Sequence, residues 1–303
     1  MTKPRQARRA FTLIEIAIAL IIVGIIGAAF TKLLASQSRF FDQQTNIRKA
    51  RSVARNSMNV MLSDLRMVQD SGGIDSAASD GKLIRIKVPY RFGLVCATNG
   101  AVTTVSMLPT DSSVLAMATY AGFAWRDTST GRYTIVPRPS SATSDAPLAS
   151  GSPSRCTGTG VGQASLRTFS ANGRTSEILD LNSAVATGAH SVSPVFFWQR
   201  VSYSFKQSNA YPSTATTTYL GLYRDVEGAS SEEILAPFDT SARFRFYVSG
   251  ADASVVVPPA LSSIVGVDLV LNALSSRVVS DNINSHSMST VRTSVFFKNV
   301  RSF

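Results

Sequence analysis

Residues 11–31 read FTLIEIAIALIIVGIIGAAFT, and only Glu15 among them is charged. From Ile16 to Phe30 every side chain is apolar or glycine. Crossing a bilayer as a helix takes about 20 apolar residues, so the stretch is long enough to span. Ile and Val are mediocre helix formers in water. In lipid a helix satisfies its own backbone polar groups, and that requirement overrides propensity. On the N-terminal side, Lys3, Arg5, Arg8 and Arg9 fall within the first ten positions with no acid among them. Short basic flanks stay cytosolic, which places residues 1–10 in the cytosol and the chain after 34 on the far side of the membrane. A cleaved secretory signal fits poorly. Its small-residue cleavage site follows the apolar core, whereas Gly27-Ala28-Ala29 lies inside the run. A plain uncleaved signal anchor fits the run but leaves Glu15 unexplained. A carboxylate within a membrane segment costs roughly 2.5–3.5 kcal/mol, which marks Glu15 as a functional-site candidate.

C-terminal to this run the helical signal continues. No proline occurs between 5 and 88 and no glycine between 28 and 71. Leu33, Leu34, Phe40, Phe41, Ile47, Ala54, Met58, Met61, Leu62, Leu65 and Val68 recur mostly at helical spacing. Arg39, Gln43, Arg48, Arg51, Arg55, Asn59 and Arg66 form the polar face. The pattern predicts one helix over 11–70, about 90 Å long at 1.5 Å per residue. Residues 11–34 would be the membrane part and 35–70 an amphipathic stalk, with Ser71-Gly72-Gly73 as the stop. The stripe from Met58 to Val68 must be buried, and a sheet is the expected cover.

Arg9-Ala10-Phe11-Thr12-Leu13-Ile14-Glu15 resembles the prepilin processing motif of type IV pilins and type II secretion pseudopilins. The resemblance implies cytosolic cleavage between Ala10 and Phe11 by a prepilin peptidase, then N-methylation of Phe11. Ala10 stands where Gly is commoner. Glu15 matches the family's assembly glutamate, whose carboxylate pairs with the N-terminal amine of a neighbouring subunit. In a low dielectric such a pair attracts strongly but is also costly to desolvate, so it sets register more than it adds stability. Many pilins have a proline that kinks the membrane half of the helix. Lys32 stands near that place and no proline is present, which argues against a kink.

The rest of the chain, 71–303, reads as a β-rich head. Lys82–Val88 alternates and is predicted as a strand ending at Pro89, followed by strands over Tyr90–Cys96 and Ala101–Leu108 around a Thr98-Asn99-Gly100 turn. Tyr120–Arg126 and Gly131–Val136 read as a hairpin, and 137–164 as a long exposed loop poor in large apolar residues. Val195–Lys206, Thr217–Asp225, Ala242–Val248, Ile264–Asn272 and Thr290–Asn299 are aromatic- and β-branched-rich strands. Glu232–Phe238 reads as a short connecting element. The fold class is therefore α+β, with a long N-terminal helix packed on an antiparallel sheet head. Arg200-Val201-Ser202-Tyr203, Leu222-Tyr223-Arg224, Phe244-Arg245-Phe246-Tyr247, Val267-Asp268-Leu269-Val270-Leu271 and Phe297-Lys298-Asn299 occur in an order similar to the large minor pilins of the W and J types.

Composition narrows the function. The chain has 303 residues, is 44% apolar and 16% charged, and has a net charge of +11. It is too apolar to be mainly disordered. Removing the four leader cations lowers +11 to +7, and Arg39, Arg48, Lys49, Arg51 and Arg55 supply more, so the basic excess is N-terminal. This cluster reads as a solvated helix face near anionic headgroups; without interleaved aromatics it does not read as a nucleic-acid surface. The two cysteines, Cys96 and Cys156, exclude cysteine-based zinc and iron–sulfur centres and could pair in an oxidising periplasm. His190 and His286 lack a recognisable acid–nucleophile context, and no G-x-S-x-G occurs. Gly158-Thr159-Gly160-Val161-Gly162 lacks a preceding apolar strand and a following Lys-Ser/Thr, so it reads as loop rather than phosphate cradle. Asp225, Glu227, Glu232 and Glu233 form an acidic cluster without EF-hand spacing.

The expectation is a non-enzymatic filament subunit with no cofactor and no metal. The resemblance implies other pilins or pseudopilins, the peptidase/methylase, the inner membrane and its assembly platform as partners. It implies a single-pass inner-membrane precursor with a periplasmic head. A head of this size suits a low-copy tip or initiating role better than a main subunit. Two alternatives stand: a binding or enzymatic domain held by an uncleaved anchor, and a tip adhesin or DNA-uptake pilin.

Overall fold

The computed structural model describes residues 12–68, 72–99, 102–107, 119–126, 133–138, 148–150, 170–171, 174–175, 177–181, 193–213, 217–257, 260–278 and 286–297. Helix α1 runs unbroken from Leu13 to Leu65, about 80 Å at 1.5 Å per residue. It stays helical through the Lys32 region, so no segment there is melted, as the absence of proline predicts. It ends five residues before the predicted limit of 70. Met67 N–H donates to Asp64 O and Val68 N–H to Leu65 O, tightening the last turn. That turn drops Val68, 2% exposed, into the core, ahead of Ser71-Gly72-Gly73.

The strands are β1 (Ile74–Ala77), β2 (Leu83–Asn99), β3 (Val102–Met107), β4 (Gly122–Arg126), β5 (Tyr133–Pro137), β6 (Leu148–Ser150), β7 (Ser170–Ala171), β8 (Arg174–Thr175), β9 (Glu177–Leu181), β10 (Pro194–Gln207), β11 (Leu220–Val226), β12 (Glu232–Phe238), β13 (Arg243–Val248), β14 (Ile264–Val278) and β15 (His286–Phe296). Apart from the β7–β8 pair they join one sheet, with β13-β14-β12-β11-β10-β2-β3-β9-β6 in order. β1 is added on β2, β15 on β14, and the β4–β5 hairpin on β10. All of these pairings are antiparallel.

Three expectations for the head also need correction. The strand expected to stop at Pro89 continues to Asn99. Trp198 pairs with Pro89 and Phe197 with Arg91, so Tyr90 is the extra residue of a bulge. A bulge is one of the few places a strand accommodates proline. Glu232–Phe238 is a strand rather than a connector, because Leu220–Arg224 offers it a ladder. Leu148–Ser150, within the stretch read as exposed loop, pairs with β9. The alternating Glu177–Leu181 segment of β9 completes that edge against β3.

Strand β10 divides the interior into two. Its C-terminal half, with β2, β11–β15 and α1, encloses Met61, Leu65, Ile84, Ile86, Tyr203, Leu222, Phe244, Val267 and Leu269. Its N-terminal half, with β2–β5 and β9, encloses Val95, Val105, Phe123, Trp125, Leu179 and Phe197. Gly122, the first residue of β4, lies close against both β5 and β10. Its φ is +152°, and a Cβ there would meet Val136 O at 2.3 Å and the Trp198 ring at 2.5 Å. No larger residue fits that crossing.

Candidate functional site: the exposed helix and its attachment

The first turn of α1 is closed on itself. Thr12 is the N-cap, and its Oγ1 accepts from Glu15 N–H at 3.4 Å. Glu15 Oε2 in turn accepts from Thr12 N–H and Oγ1–H, each at 3.0 Å. This capping box satisfies orphan donors that no preceding turn can reach. Ala10 and Phe11 lie outside the described residues.

Beyond the cap, every residue from Thr12 to Gln43 is exposed. Leu13 is 86% exposed and Ile25 66%. None of the most apolar stretch of this helix is buried within the protein. Burying a Leu or Ile side chain is worth about 1.5–3 kcal/mol, so water is not the environment such a surface accepts. By length and composition, α1 can cross a membrane.

The C-terminal half is held to the head. Asn46, Ala50, Ala54, Ser57, Met61, Asp64 and Leu65 are buried at spacings of mostly three and four. Ala50, Ala54 and Ser57 are fully buried, and these small side chains let the helix lie close on the sheet. Met58 and Leu62, also in the predicted stripe, pack at its border.

The attachment carries one polar lock. Tyr203 Oη donates to Asp64 Oδ2 at 2.7 Å. Arg224 donates to the same oxygen from Nε at 3.2 Å and Nη2 at 3.1 Å. Burial, reinforced by the Asp64 carboxylate, raises the Tyr203 pKa well above the usual phenol range, so Tyr203 stays a donor. Tyr203 and Arg224 close the R-V-x-Y and L-Y-R fragments noted above, and they face each other across β10 and β11. Asp64 itself carried no sequence signal beyond being an acid among stripe residues.

No sequence pattern marks the second buried carboxylate. Asp268 is fully buried on β14. Arg292 Nη2 donates to it at 2.6 Å, and Ser254 Oγ at 2.8 Å. Burial pushes its pKa up, but these bonds outweigh burial and hold it below the ordinary aspartate value.

The acidic cluster at 225–233 is divided among separate partners. Glu227 pairs with Arg200 at 2.9 Å. Glu233 accepts from Ser208 Oγ at 2.5 Å and Asn209 N–H at 2.9 Å. Among the described residues, no three His, Cys, Asp or Glu side chains gather as metal ligands would. His286 Nδ1–H donates to Ser275 O and Nε2 accepts from Tyr219 Oη, both at 2.7 Å, which ties β15 to the rest of the sheet. Cys96 is fully buried and disulfide-bonded. Cys156, His190, Gly158, Gly160 and Gly162 lie outside the described residues.

Residues 5–31 match the family model of the prokaryotic N-terminal methylation motif. No curated protein and no solved structure matches the chain.

Proposed function

We propose that this type IV prepilin-like chain is a subunit of a type IV pilus or type II secretion-type filament, present in low copy at the tip or at initiation. The observation that carries this reading is the conjunction of the matched motif at 5–31 with a helix whose apolar half is wholly uncovered. The precursor sits in the inner membrane by this helix, with its head in the periplasm. The peptidase cuts between Ala10 and Phe11 and the new amine of Phe11 is methylated. The assembly platform then moves the helix from lipid into a bundle of like helices, and their apolar faces exclude water from the fibre core. Glu15 accepts the amine of a neighbour's first residue in place of its own Thr12 cap. The size of the head supports a low-copy position. The chain catalyses no reaction in this reading.

Mass spectrometry of the mature N-terminus tests the proposal. N-methyl-Phe11 as first residue is the expected result. An intact Met1–Ala10 would instead indicate an anchored binding or enzymatic domain.

A further inference from the structure

Three arginines of the stalk have no partner among the described residues. Arg48, Arg51 and Arg55 are exposed on α1 and make no hydrogen bond or ion pair among the described residues. The helix's acids after Glu15 are Asp42 and Asp64. Neither stands three or four residues from any of these arginines, and Asp64 is taken by Tyr203 and Arg224. At spacings of three and four the arginines share one face. At 3.6 residues per turn that face is roughly 120° around the helix from the buried Ala50, Ala54, Ser57 and Met61. Phe41, 66% exposed, precedes Arg48 by two turns on the same face.

The sequence reading set the 39–55 cluster beside anionic headgroups, and the length of α1 carries these three arginines past them. Arg48 to Arg55 lie about 21 to 32 Å along the axis beyond Leu34, where the expected membrane part ends. The headgroup layer is roughly 5–8 Å thick and the Debye length about 8 Å, so an upright helix carries these charges past both.

We propose that Arg48, Arg51 and Arg55 form a docking stripe for the acidic stalk helix of a different pilin-type subunit. This rests on the filament reading above: in a bundle of pilin-type helices, a stalk face that the head leaves uncovered meets neighbouring helices. Three like charges brought into such a contact need carboxylates at matching spacing, with an apolar position two turns earlier to cover Phe41. The stalk of a second copy does not supply them, because its acids, Asp42 and Asp64, stand 22 positions apart and Asp64 is already bonded to Tyr203 and Arg224. The stripe therefore selects a heterologous neighbour and disfavours side-by-side self-packing.

The full-length chain carrying Arg48→Lys, Arg51→Lys and Arg55→Lys, made in its native host, tests this. Sheared filaments are treated with a carbodiimide, which joins a lysine amine only to a carboxylate in direct contact. The expected product links residues 48–55 to an Asp or Glu on the stalk of another subunit. A companion variant with all three arginines changed to Glu should appear in filaments about tenfold less than wild type, while the Lys variant stays within about twofold. Wild-type incorporation of the Glu variant overturns the inference and leaves the filament reading intact, as do cross-links to a second copy. Equal stripe-dependent binding of the full-length chain to anionic vesicles or to DNA also overturns it. Absence of the wild-type chain from filaments overturns both readings.

Discussion

Replacing Asp64 with alanine is the sharpest test of how the helix is fastened to the head. The change leaves the fully buried Tyr203 hydroxyl without its acceptor and the Arg224 guanidinium without its carboxylate. The three bonds converge on one oxygen, so their separate values do not add. Removing one partner of a buried pair costs about 3–5 kcal/mol. The Arg224 side chain is 31% exposed, so water recovers part of that loss. The expected cost is about 3 kcal/mol, or a melting temperature lowered by roughly 6–12 °C for a protein of this size. The assay is unfolding of the full-length chain in detergent, followed by fluorescence of Trp125 and Trp198. A double-mutant cycle with Arg224→Ala should show a coupling above about 1 kcal/mol. A loss below about 1 kcal/mol, or additive single changes, would refute the reasoning.

Other outcomes follow from the same contacts. Ala54→Leu should overpack the close helix–sheet contact and cost about 1–3 kcal/mol by the same assay, whereas Arg55→Leu on the exposed face should change stability by less than about 0.5 kcal/mol. Asp268 has a folded pKa below its unfolded value, so its contribution is complete above the unfolded value near 4 and is lost as pH falls through the folded one. Stability measured from pH 6 to pH 2 should therefore fall, and Asp268→Asn should flatten that fall while lowering stability at pH 6. Non-reducing peptide mapping should recover Cys96 linked to Cys156, and reduction should cost about 4 kcal/mol for a loop of that length. Separate thiols would remove that cross-link from the account.

The sequence made the helix plain because its signals are local: a gap in proline and glycine, an apolar run, then a stripe with period 3.6. The long strands of the C-terminal part were legible for the same reason, since period-2 alternation in Val195–Lys206 or Ile264–Asn272 needs no knowledge of neighbours. What was not legible depends on contacts distant in sequence. Asp64 and Tyr203 are 139 positions apart, and nothing near Asp64 distinguishes it from a solvated acid. Asp268 lies within an apolar alternation and is tolerable there only because Arg292 and Ser254 reach it. Pro89 misled because a bulge is a property of a strand pair, not of one strand. The helix likewise ends early for a tertiary reason, the burial of Val68.

The central claim is that the chain enters a filament through its apolar helix and the carboxylate near its start. Quantitative immunodetection of the wild-type chain and of Glu15→Gln in sheared, washed filaments, with total cellular levels matched, tests it directly. The account predicts wild-type chain in the filament fraction and a loss of about tenfold or more for Glu15→Gln, with the variant retained in the inner membrane. Equal amounts of both in filaments, or wild-type chain confined to the membrane, would contradict it.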